Sequence, residues 1–385
     1  MPVRQGGAAP REKVLLVGVR LAGRPAADTE EHLAELSLLT DTAGGAVAGQ
    51  VVQERTRFDA GTLVGRGKAL QIAARVQEED VETVIFDDEL SPAQIRNLEK
   101  IFGAKVIDRS ALILDIFARR ARSREARTQV ELAQLQYLLP RLTRRWTHLS
   151  RQAGGSIGLR GVGETQLEID RRLIRRRISR LRRDLARVEQ ARRERRRSRE
   201  GIPKVALIGY TNSGKSTLFN ALSGGVAAPV EDRLFATLDP LVRRCRAGGS
   251  DYVAIDTVGF IRKLPHHLVA SFRSTLEETI DADVLVHVVD LTHARYEEQM
   301  EVTQTVLGEE GLLDRPCLLV LNKCDRAGDG VKARARRVHP EAVLMSALEG
   351  EGVGDLKRAI GAEIRRRGPI RGREAAGAGR KEAAR

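Results

Sequence analysis

The sequence predicts an α/β protein in three parts: a small amino-terminal α/β domain, an antiparallel helical hairpin and a doubly wound α/β domain. Short apolar runs alternate with helical stretches in residues 13–120 and again in residues 201–366, which is typical of α/β domains. Between them, residues 121–200 carry two apolar seams at spacings of three and four, which predict long helices. Residues 1–12 and the basic tail 367–385 lack such patterns, so we expect both to be disordered.

The amino-terminal part alternates between apolar and amphipathic segments. Apolar runs predict strands at residues 13–19, 81–86 and 104–107. A Gly-Arg-Gly-Lys run at residues 65–68 superficially resembles a phosphate-binding loop, but Thr62 stands where such a loop has its first glycine, so the run predicts a helix-entry turn. The helical periodicity predicts helices at residues 30–39, 68–77, 92–101 and 111–118.

The middle part predicts two helices joined by a glycine-rich tip at residues 154–163. Pro140 is expected to kink the first helix. The first seam contains Leu132, Leu135, Leu139, Leu142, Trp146 and Leu149, and the second contains Ile174, Ile178, Leu181, Leu185 and Val188.

The second of these helices is rich in arginine. The arginines form either a solvated coiled-coil face or a track for RNA phosphates, and the scarcity of neighbouring acids favours RNA. Aromatic residues make up only 3% of the chain, so backbone charge and shape, rather than base stacking, should carry the contact. The predicted RNA-binding residues are Gly154, Gly155, Arg160, Gly161, Arg171, Arg172, Arg175, Arg176 and Arg180.

A phosphate-binding loop opens the last part of the chain. It lies between the apolar run 205–208 and the helical run 218–222. Its glycines let backbone N–H groups surround phosphates, Lys215 reaches the β and γ oxygens, and Ser216 offers a hydroxyl to Mg²⁺. The predicted nucleotide-binding residues here are Gly209, Tyr210, Thr211, Asn212, Ser213, Gly214, Lys215, Ser216 and Thr217.

Two later motifs, both at predicted strand ends, indicate which base is bound. The Asp325 carboxylate can accept from N1–H and N2–H₂ of guanine, whereas adenine offers no such paired donors, so we expect GTP or GDP. Asn322 should support the purine and the loop, the Lys323 stem should cover the base, and the Ala347 N–H should meet guanine O6. The two motifs are Asn322, Lys323, Cys324 and Asp325, and then Ser346, Ala347 and Leu348.

Two segments between these motifs are predicted to sense the γ-phosphate. Thr237 offers Mg²⁺ a second hydroxyl, although it could also be an ordinary turn threonine, and Asp256 would hold the metal through water. Lys215, Thr237 and Gly259, whose N–H would meet the phosphate, are the predicted catalytic residues. Ser216, Thr237 and Asp256 are the predicted Mg²⁺ ligands. The further predicted nucleotide contacts are Phe235, Ala236, Leu238, Asp239, Thr257 and Val258.

Phe260 follows Gly259, at the position where many GTPases carry a glutamine that orients the attacking water. Neither Phe260 nor Ile261 can accept a proton, so we expect slow intrinsic hydrolysis that a partner surface or a bound cation accelerates. Asn212 resembles the asparagine that ligates K⁺ in GTPases lacking that glutamine. An equally good interpretation is that Asn212 stabilises the loop through side-chain to backbone hydrogen bonds.

Composition limits the possible environments and partners. The longest apolar runs, such as residues 284–289, are too short to cross a bilayer, and the chain starts without an apolar signal core. We therefore expect a cytoplasmic monomer without stable membrane insertion. Cys245, Cys317 and Cys324 form no Cys-x-x-Cys pair and suggest neither disulfides nor zinc. A net charge of +14 favours a polyanionic partner, although arginine is frequent throughout the chain.

Taken together, these motifs resemble the HflX family, bacterial ribosome-binding P-loop GTPases of the translation-factor-related class. The resemblance runs from about residue 13 to 366 and includes the amino-terminal signatures at residues 42–45, 86–94 and 161–172. It departs at Val162, where proline is usual, and in ending without the small carboxy-terminal domain that some members carry. The resemblance implies binding to the large ribosomal subunit and its RNA, a hairpin tip directed at the peptidyl transferase centre, and splitting of stalled or idle ribosomes.

The sequence therefore predicts a doubly wound P-loop GTPase domain whose GTP hydrolysis is coupled to ribosome binding. A ribosome-assembly or RNA-modification GTPase would have the same nucleotide site. A third hypothesis is a non-catalytic RNA-binding module that uses GTP as a structural ligand.

Overall fold

The computed structural model describes residues 11–142, 166–197, 201–224, 234–263 and 281–367. The described residues form two compact units, with the boundary between Arg183 and Asp184. None of the helices in these ranges is long and apolar enough to cross a membrane.

The first unit begins with a parallel four-stranded sheet in the order β2-β1-β3-β4. Apolar side chains of α2 and α3 pack with those of the strands into one core. The elements are β1 (Lys13–Leu21), α1 (Ala26–Thr42), β2 (Ala46–Arg55), α2 (Arg66–Glu78), β3 (Thr83–Phe86), α3 (Pro92–Phe102), β4 (Lys105–Asp108) and α4 (Arg109–Arg120).

Local sequence signals explain the helix boundaries in this unit. Ser91 and Gln94 form a capping box at the start of α3, Pro92 occupies its first turn, and Gly103 ends it in the left-handed region at φ 68°. The helix-entry turn predicted at residues 65–68 is confirmed, because α2 begins directly after Gly65.

Strand β2 was not predicted. Its residues alternate between half-buried and exposed, as on an edge strand, and its polar positions interrupt any apolar run. It is recognisable only through its parallel pairing with β1.

The helical region contains α5 (Arg124–Leu138), a 3₁₀ turn (Leu139–Arg141) and the long helix α6 (Gln166–Arg197). The expectation that α5 continues through a kink at Pro140 is wrong, because the α-helix ends at Leu138 and Leu142 is not helical. Ile178 and Leu181 of the second seam are buried. The predicted seam residues Trp146 and Leu149, and the glycine-rich tip, lie outside the described residues.

Contacts between the two helices establish their antiparallel arrangement. Arg177 of α6 pairs with Glu131 of α5, and Arg171, earlier in α6, contacts Leu142, beyond the end of α5. Residues later in α6 therefore lie beside residues earlier in α5, so the two helices run antiparallel.

The second unit is a doubly wound α/β domain. Its six strands lie in the order β10-β9-β8-β5-β7-β6, with only β6 antiparallel to its neighbour. One core contains α7 and α10, and a separate core contains α8 and α9. The elements are β5 (Lys204–Ile208), α7 (Lys215–Ser223), β6 (Leu241–Ala247), β7 (Ser250–Asp256), β8 (Val284–Asp290), α8 (Tyr296–Glu309), β9 (Cys317–Asn322), α9 (Asp329–Val338), β10 (Val343–Leu344) and α10 (Val353–Arg367).

The strand order of this sheet reverses at β5, which has β8 on one side and β7 on the other. Ligands of open α/β sheets bind at the carboxyl ends of the strands beside such a reversal. The loop after β5 is therefore the position at which the topology predicts a ligand.

Candidate active site

The loop between β5 and α7 has the backbone that phosphate binding requires. Gly209 lies at φ 142°, and a Cβ there would stand 2.1 Å from the Val288 carbonyl oxygen. Gly214 lies at φ 92°, and its Cβ would stand 2.2 Å from Asn322 Nδ2. Neither position accommodates a side chain, so the glycines allow backbone N–H groups to line the inside of the loop.

Replacing Gly214 with alanine should therefore weaken nucleotide binding by about tenfold or more and lower the melting temperature. The new methyl group would collide with the Asn322 side chain, and the backbone at residue 214 has a positive φ that strains any residue with a Cβ. Nucleotide titration and thermal unfolding measure the two effects. Gly330→Ala is the matched control, since no atom of the described residues lies within 4 Å of a Cβ placed at Gly330. Equal affinities in the two variants would contradict the role of Gly214.

Lys215 is buried inside the loop, with 6% of its surface exposed. Its Nζ donates to the carbonyl oxygens of Gly209, at 3.1 Å, and Tyr210, at 2.6 Å. Burial lowers the pKa of the ammonium group to about 8, nearby Asp256 opposes the shift, and Lys323 adds to it. A buried cation whose pKa is depressed is stabilised by an anionic ligand, so the phosphates of a nucleotide suit this position.

Three oxygen-bearing side chains converge beside Lys215. Ser216 Oγ lies 2.8 Å from Thr237 Oγ1 and donates to Asp256 Oδ2 at 2.6 Å, while Thr237 Oγ1 lies 3.2 Å from the same carboxylate oxygen. Asp256 Oδ1 is buried without a hydrogen-bond partner among the described residues, and burial raises the pKa of this carboxyl. Hydroxyl and carboxylate oxygens are the donors that Mg²⁺ prefers, so the cluster fits a divalent cation.

The segment after β7 lies against the phosphate-binding loop. The Thr211 N–H donates to the Phe260 carbonyl oxygen at 2.7 Å, and the Phe260 N–H donates to the Gly209 carbonyl oxygen at 3.1 Å. A Cβ on Gly259 would stand 2.6 Å from Thr211 Cα, which explains the glycine. The Phe260 side chain is buried and offers no polar group to a water molecule.

The base-recognition motifs are joined to this loop through Asn322. Its Nδ2 donates to the Ser213 carbonyl oxygen at 2.8 Å, and its Oδ1 accepts from the Ala347 N–H at 2.9 Å. The Ala347 N–H predicted to meet guanine O6 thus donates to Asn322 in this structure, and its contact with the base stays a prediction. Asp325 is exposed, as a carboxylate that receives a ligand must be.

The sequence interpretation missed Asp290. The Lys323 ammonium group donates to the Asn212 carbonyl oxygen at 2.9 Å and pairs with Asp290 Oδ2 at 2.7 Å. The other carboxylate oxygen of Asp290 accepts from the N–H and hydroxyl groups of Thr292. The position of Asp290 at the end of β8 was a signal for it, since ligand sites gather at such strand ends.

Some of the remaining predicted nucleotide contacts lie at the phosphate-binding loop, and others do not. The Phe235 N–H donates to Thr211 Oγ1 at 3.0 Å, and Thr257 is bonded to the Leu207 carbonyl oxygen at 2.6 Å. Leu348 is 75% exposed. One small cavity is lined by Lys215 together with Thr211, Asn212, Gly214, Ser216, Thr217, Phe235, Ala236, Thr237, Thr257 and Gly259. Ser213, Val258, Leu238, Asp239, Cys324 and Ser346 do not line it.

The predicted RNA-binding residues divide into three groups. Arg172, Arg175, Arg176 and Arg180 are exposed on α6. Arg171 is half-buried and donates to the Leu142 carbonyl oxygen at 2.8 Å, so part of its role is to hold the helices together. Gly154, Gly155, Arg160 and Gly161 lie outside the described residues.

Comparison with known proteins agrees with this geometry. Family models described as GTP-binding GTPase N-terminal, GTP-binding GTPase Middle Region and 50S ribosome-binding GTPase match residues 30–118, 120–199 and 204–323. GTPase HflX of Escherichia coli (strain K12) is 48% identical over 335 residues, covering 86% of this chain and 78% of that protein. The chain belongs to the HflX family of GTPases.

A second HflX relative, from Flavobacterium psychrophilum, is 46% identical over 314 residues, covering 82% of this chain and 76% of its own. Among solved structures, the crystal structure of SsGBP and GDP complex shares 26% identity at a TM-score of 0.49, covering 92% of this chain and 98% of that one. As an HflX GTPase, the protein binds GTP and GDP and hydrolyses GTP.

Proposed function

We propose that this HflX-family GTPase docks on the large ribosomal subunit through its arginine-rich helix and couples GTP binding and hydrolysis to the splitting of stalled or idle ribosomes. In this proposal residues 13–120, 121–200 and 201–366 are the amino-terminal, hairpin and GTPase domains. The observation that carries it is the combination, in one chain, of the guanine-nucleotide site with the exposed arginines of α6.

The charge on α6 supports an RNA partner. Arg175 and Arg176 are exposed, and they line one open surface with Arg171, Arg172 and Arg183. Each arginine that neutralises a phosphate releases condensed counterions, so such a surface gains affinity for RNA and loses it as salt rises. The family model described as 50S ribosome-binding GTPase supports the large subunit as the source of that RNA.

The chemistry would use groups already in place. Lys215 would bind the β- and γ-phosphates, and the Gly259 N–H would bind the γ-phosphate. Ser216, Thr237 and, through water, Asp256 would hold Mg²⁺, which supplies charge neutralisation for the phosphates. Because Phe260 cannot orient water, groups supplied by the ribosome would complete the site, and such groups can be worth about 10³-fold in rate.

K⁺ ligation by Asn212 belongs to the same proposal. Asn212 is exposed and lies at φ 60°, a conformation that asparagine tolerates better than most residues, which also supports the alternative of a loop-stabilising role. Comparing hydrolysis in K⁺ and Na⁺ salts separates the two, because only a K⁺ ligand makes the rate depend on the cation.

The test of docking is charge reversal on α6. Changing Arg175, Arg176 and Arg180 to glutamate should reduce ribosome-stimulated GTP hydrolysis about tenfold or more and lower the salt dependence of ribosome binding by about one unit of slope per arginine. Basal hydrolysis should not change, because these residues lie outside the nucleotide site. Reversing Arg334, Arg336 and Arg337 of α9 is the matched control, with the same change of charge on one other helix.

Removing residues 154–163 separates docking from splitting. The deletion should preserve most ribosome binding and abolish splitting, because in this proposal α6 supplies the docking contacts and the glycine-rich residues 154–163 act at the ribosomal active centre. Sedimentation profiles measure conversion of ribosomes into subunits. Mature ribosomes left intact by the wild-type protein with GTP would indicate an assembly or modification GTPase, and lack of ribosome-stimulated turnover would indicate a passive binder.

A further inference from the structure

Asp108 ends β4 at the carboxyl edge of the first sheet and is completely buried. Its Oδ1 accepts from the Ala111 N–H at 2.9 Å, which caps helix α4. Its Oδ2 accepts from the Leu90 N–H at 3.2 Å. A capping aspartate needs only the first of these bonds, so the others point to a second role.

The same carboxylate holds the end of α5. The Tyr137 hydroxyl donates to Asp108 Oδ1 at 2.9 Å, and Arg141 donates to Oδ2 at 3.2 Å. Arg141 also donates to the Leu90 carbonyl oxygen at 3.0 Å, and its guanidinium carbon lies 3.5 Å from the centre of the Tyr137 ring. Burial, followed by the charge of Asp108, raises the pKa of Tyr137, so its hydroxyl remains a donor at physiological pH.

These contacts occur where α5 stops. The α-helix ends at Leu138, and Arg141 lies in the 3₁₀ turn that follows it. Leu142 is the last residue that the structure describes before residue 166. On the returning side, Arg171 donates to the Leu142 carbonyl oxygen. Arg177 pairs with Glu131 through two bonds of 2.7 and 2.8 Å. Arginines of α6 therefore contact both α5 and the chain at Leu142, just beyond its end.

We propose that Asp108, Tyr137 and Arg141 form a base clamp, which fixes the position of the chain at Leu142, where α5 and its 3₁₀ turn have ended. The amino-terminal sheet is then the rigid base of the hairpin, and the three clamp residues are positioning residues for the action of its tip on the ribosome. The part of this inference that concerns ribosome splitting rests on the proposed function, whereas the part that concerns the chain at Leu142 does not.

The geometry favours positioning over simple packing. Asp108 lies 29 residues from Tyr137 and 33 from Arg141, and its buried charge is compensated by a guanidinium group that also stacks on the tyrosine. Such a paired and stacked arginine restricts the backbone next to it, at Leu142, to few conformations, whereas an apolar contact would allow many.

The test uses Tyr137→Phe, Arg141→Lys and the double variant, with Arg96→Lys as control. Tyr137→Phe removes one hydroxyl, and Arg141→Lys keeps the charge but loses the stacked, forked geometry. Arg96 is exposed on α3, and its Nε donates to the Pro92 carbonyl oxygen at 3.3 Å. The single tryptophan of the chain, Trp146, follows the clamp and reports motion there by fluorescence anisotropy decay.

In the double variant, the fast depolarisation of Trp146 should increase about twofold in amplitude. The Leu142 amide, which donates to the Leu138 carbonyl oxygen, should exchange its hydrogen about tenfold faster. Ribosome splitting should slow about tenfold, while the ribosome concentration for half-maximal GTP hydrolysis changes by less than about twofold, since the arginines of α6 remain. Basal hydrolysis and the Arg96→Lys variant should match the wild type.

Unchanged Trp146 anisotropy and Leu142 exchange in the double variant would overturn the clamp. If Trp146 and Leu142 become more mobile in the double variant while ribosome splitting keeps its wild-type rate, the role of the clamp on the ribosome is overturned. If the wild-type protein itself fails to split ribosomes, the proposed function fails, and the two motional readouts still decide the clamp. If the double variant does not fold, Tyr137→Phe alone decides, because it removes one hydrogen bond and no volume from the core.

Discussion

Replacing Lys215 with alanine is expected to abolish tight binding of GTP and GDP, with an affinity loss of about 100-fold or more, or ~3 kcal/mol. The substitution removes a buried ammonium group whose Nζ donates to the loop carbonyl oxygens of Gly209 and Tyr210 and which can also donate to phosphate oxygens. Charge-assisted hydrogen bonds in a buried site are stronger than neutral ones, so water cannot replace this interaction. Titration with a fluorescent guanine nucleotide measures the loss.

Lys204→Ala is the matched control for this experiment. Lys204 begins β5 in the same unit, and its backbone N–H donates to Asp283 Oδ2, a hydrogen bond that the substitution keeps. Both variants should retain the far-ultraviolet circular dichroism of the wild type. Wild-type nucleotide affinity in Lys215→Ala would refute the assignment of the phosphate-binding loop.

Changing Asp325 to asparagine is expected to move nucleotide preference from GTP toward xanthosine triphosphate by a factor on the order of 10³. The carboxylate matches the two donors of guanine, whereas the 2-oxo group of xanthine requires a donor, which the asparagine amide supplies. Asp325 is exposed at the end of the motif that starts with Asn322, so the substitution should leave the fold intact. Competition between the two triphosphates measures the shift.

Asp329→Asn provides the control for the base-specificity experiment. It makes the same chemical change four residues later, in the first turn of α9, where Asp329 is fully exposed and pairs only loosely with Lys332 at 3.7 Å. This variant should keep the preference for GTP. An unchanged preference in Asp325→Asn would show that another group reads the base.

The sequence predicted the parts of the fold whose signals are local. The phosphate-binding loop combines a strand, a glycine-rich turn and a helix within residues 204–223, and the structure places all three as expected. Strand β2 was missed because its stability comes from pairing with β1 rather than from an apolar run. The end of α5 was misjudged because a proline can kink a helix or end it, and only the contacts of Arg141 distinguish the two.

The same distinction holds for the candidate site. Each nucleotide motif was recognisable on its own strand end, but the bonds that join them cross long stretches of sequence. Asn322 reaches Ser213 across 109 residues, and Lys323 reaches Asn212 across 111. The sequence also grouped Arg171 with the other arginines of α6, since helical spacing cannot show that its guanidinium group turns back to Leu142.

Asn322 has a consequence for which sequences the site can tolerate. Aspartate would keep the acceptor that meets Ala347 but lose the donor to Ser213, and leucine would lose both, leaving buried backbone groups without partners. Glutamine has both groups but is one methylene longer, and the side chain is only 2% exposed. Of the residues in the nucleotide site, Asn322 therefore offers protein engineers no conservative replacement.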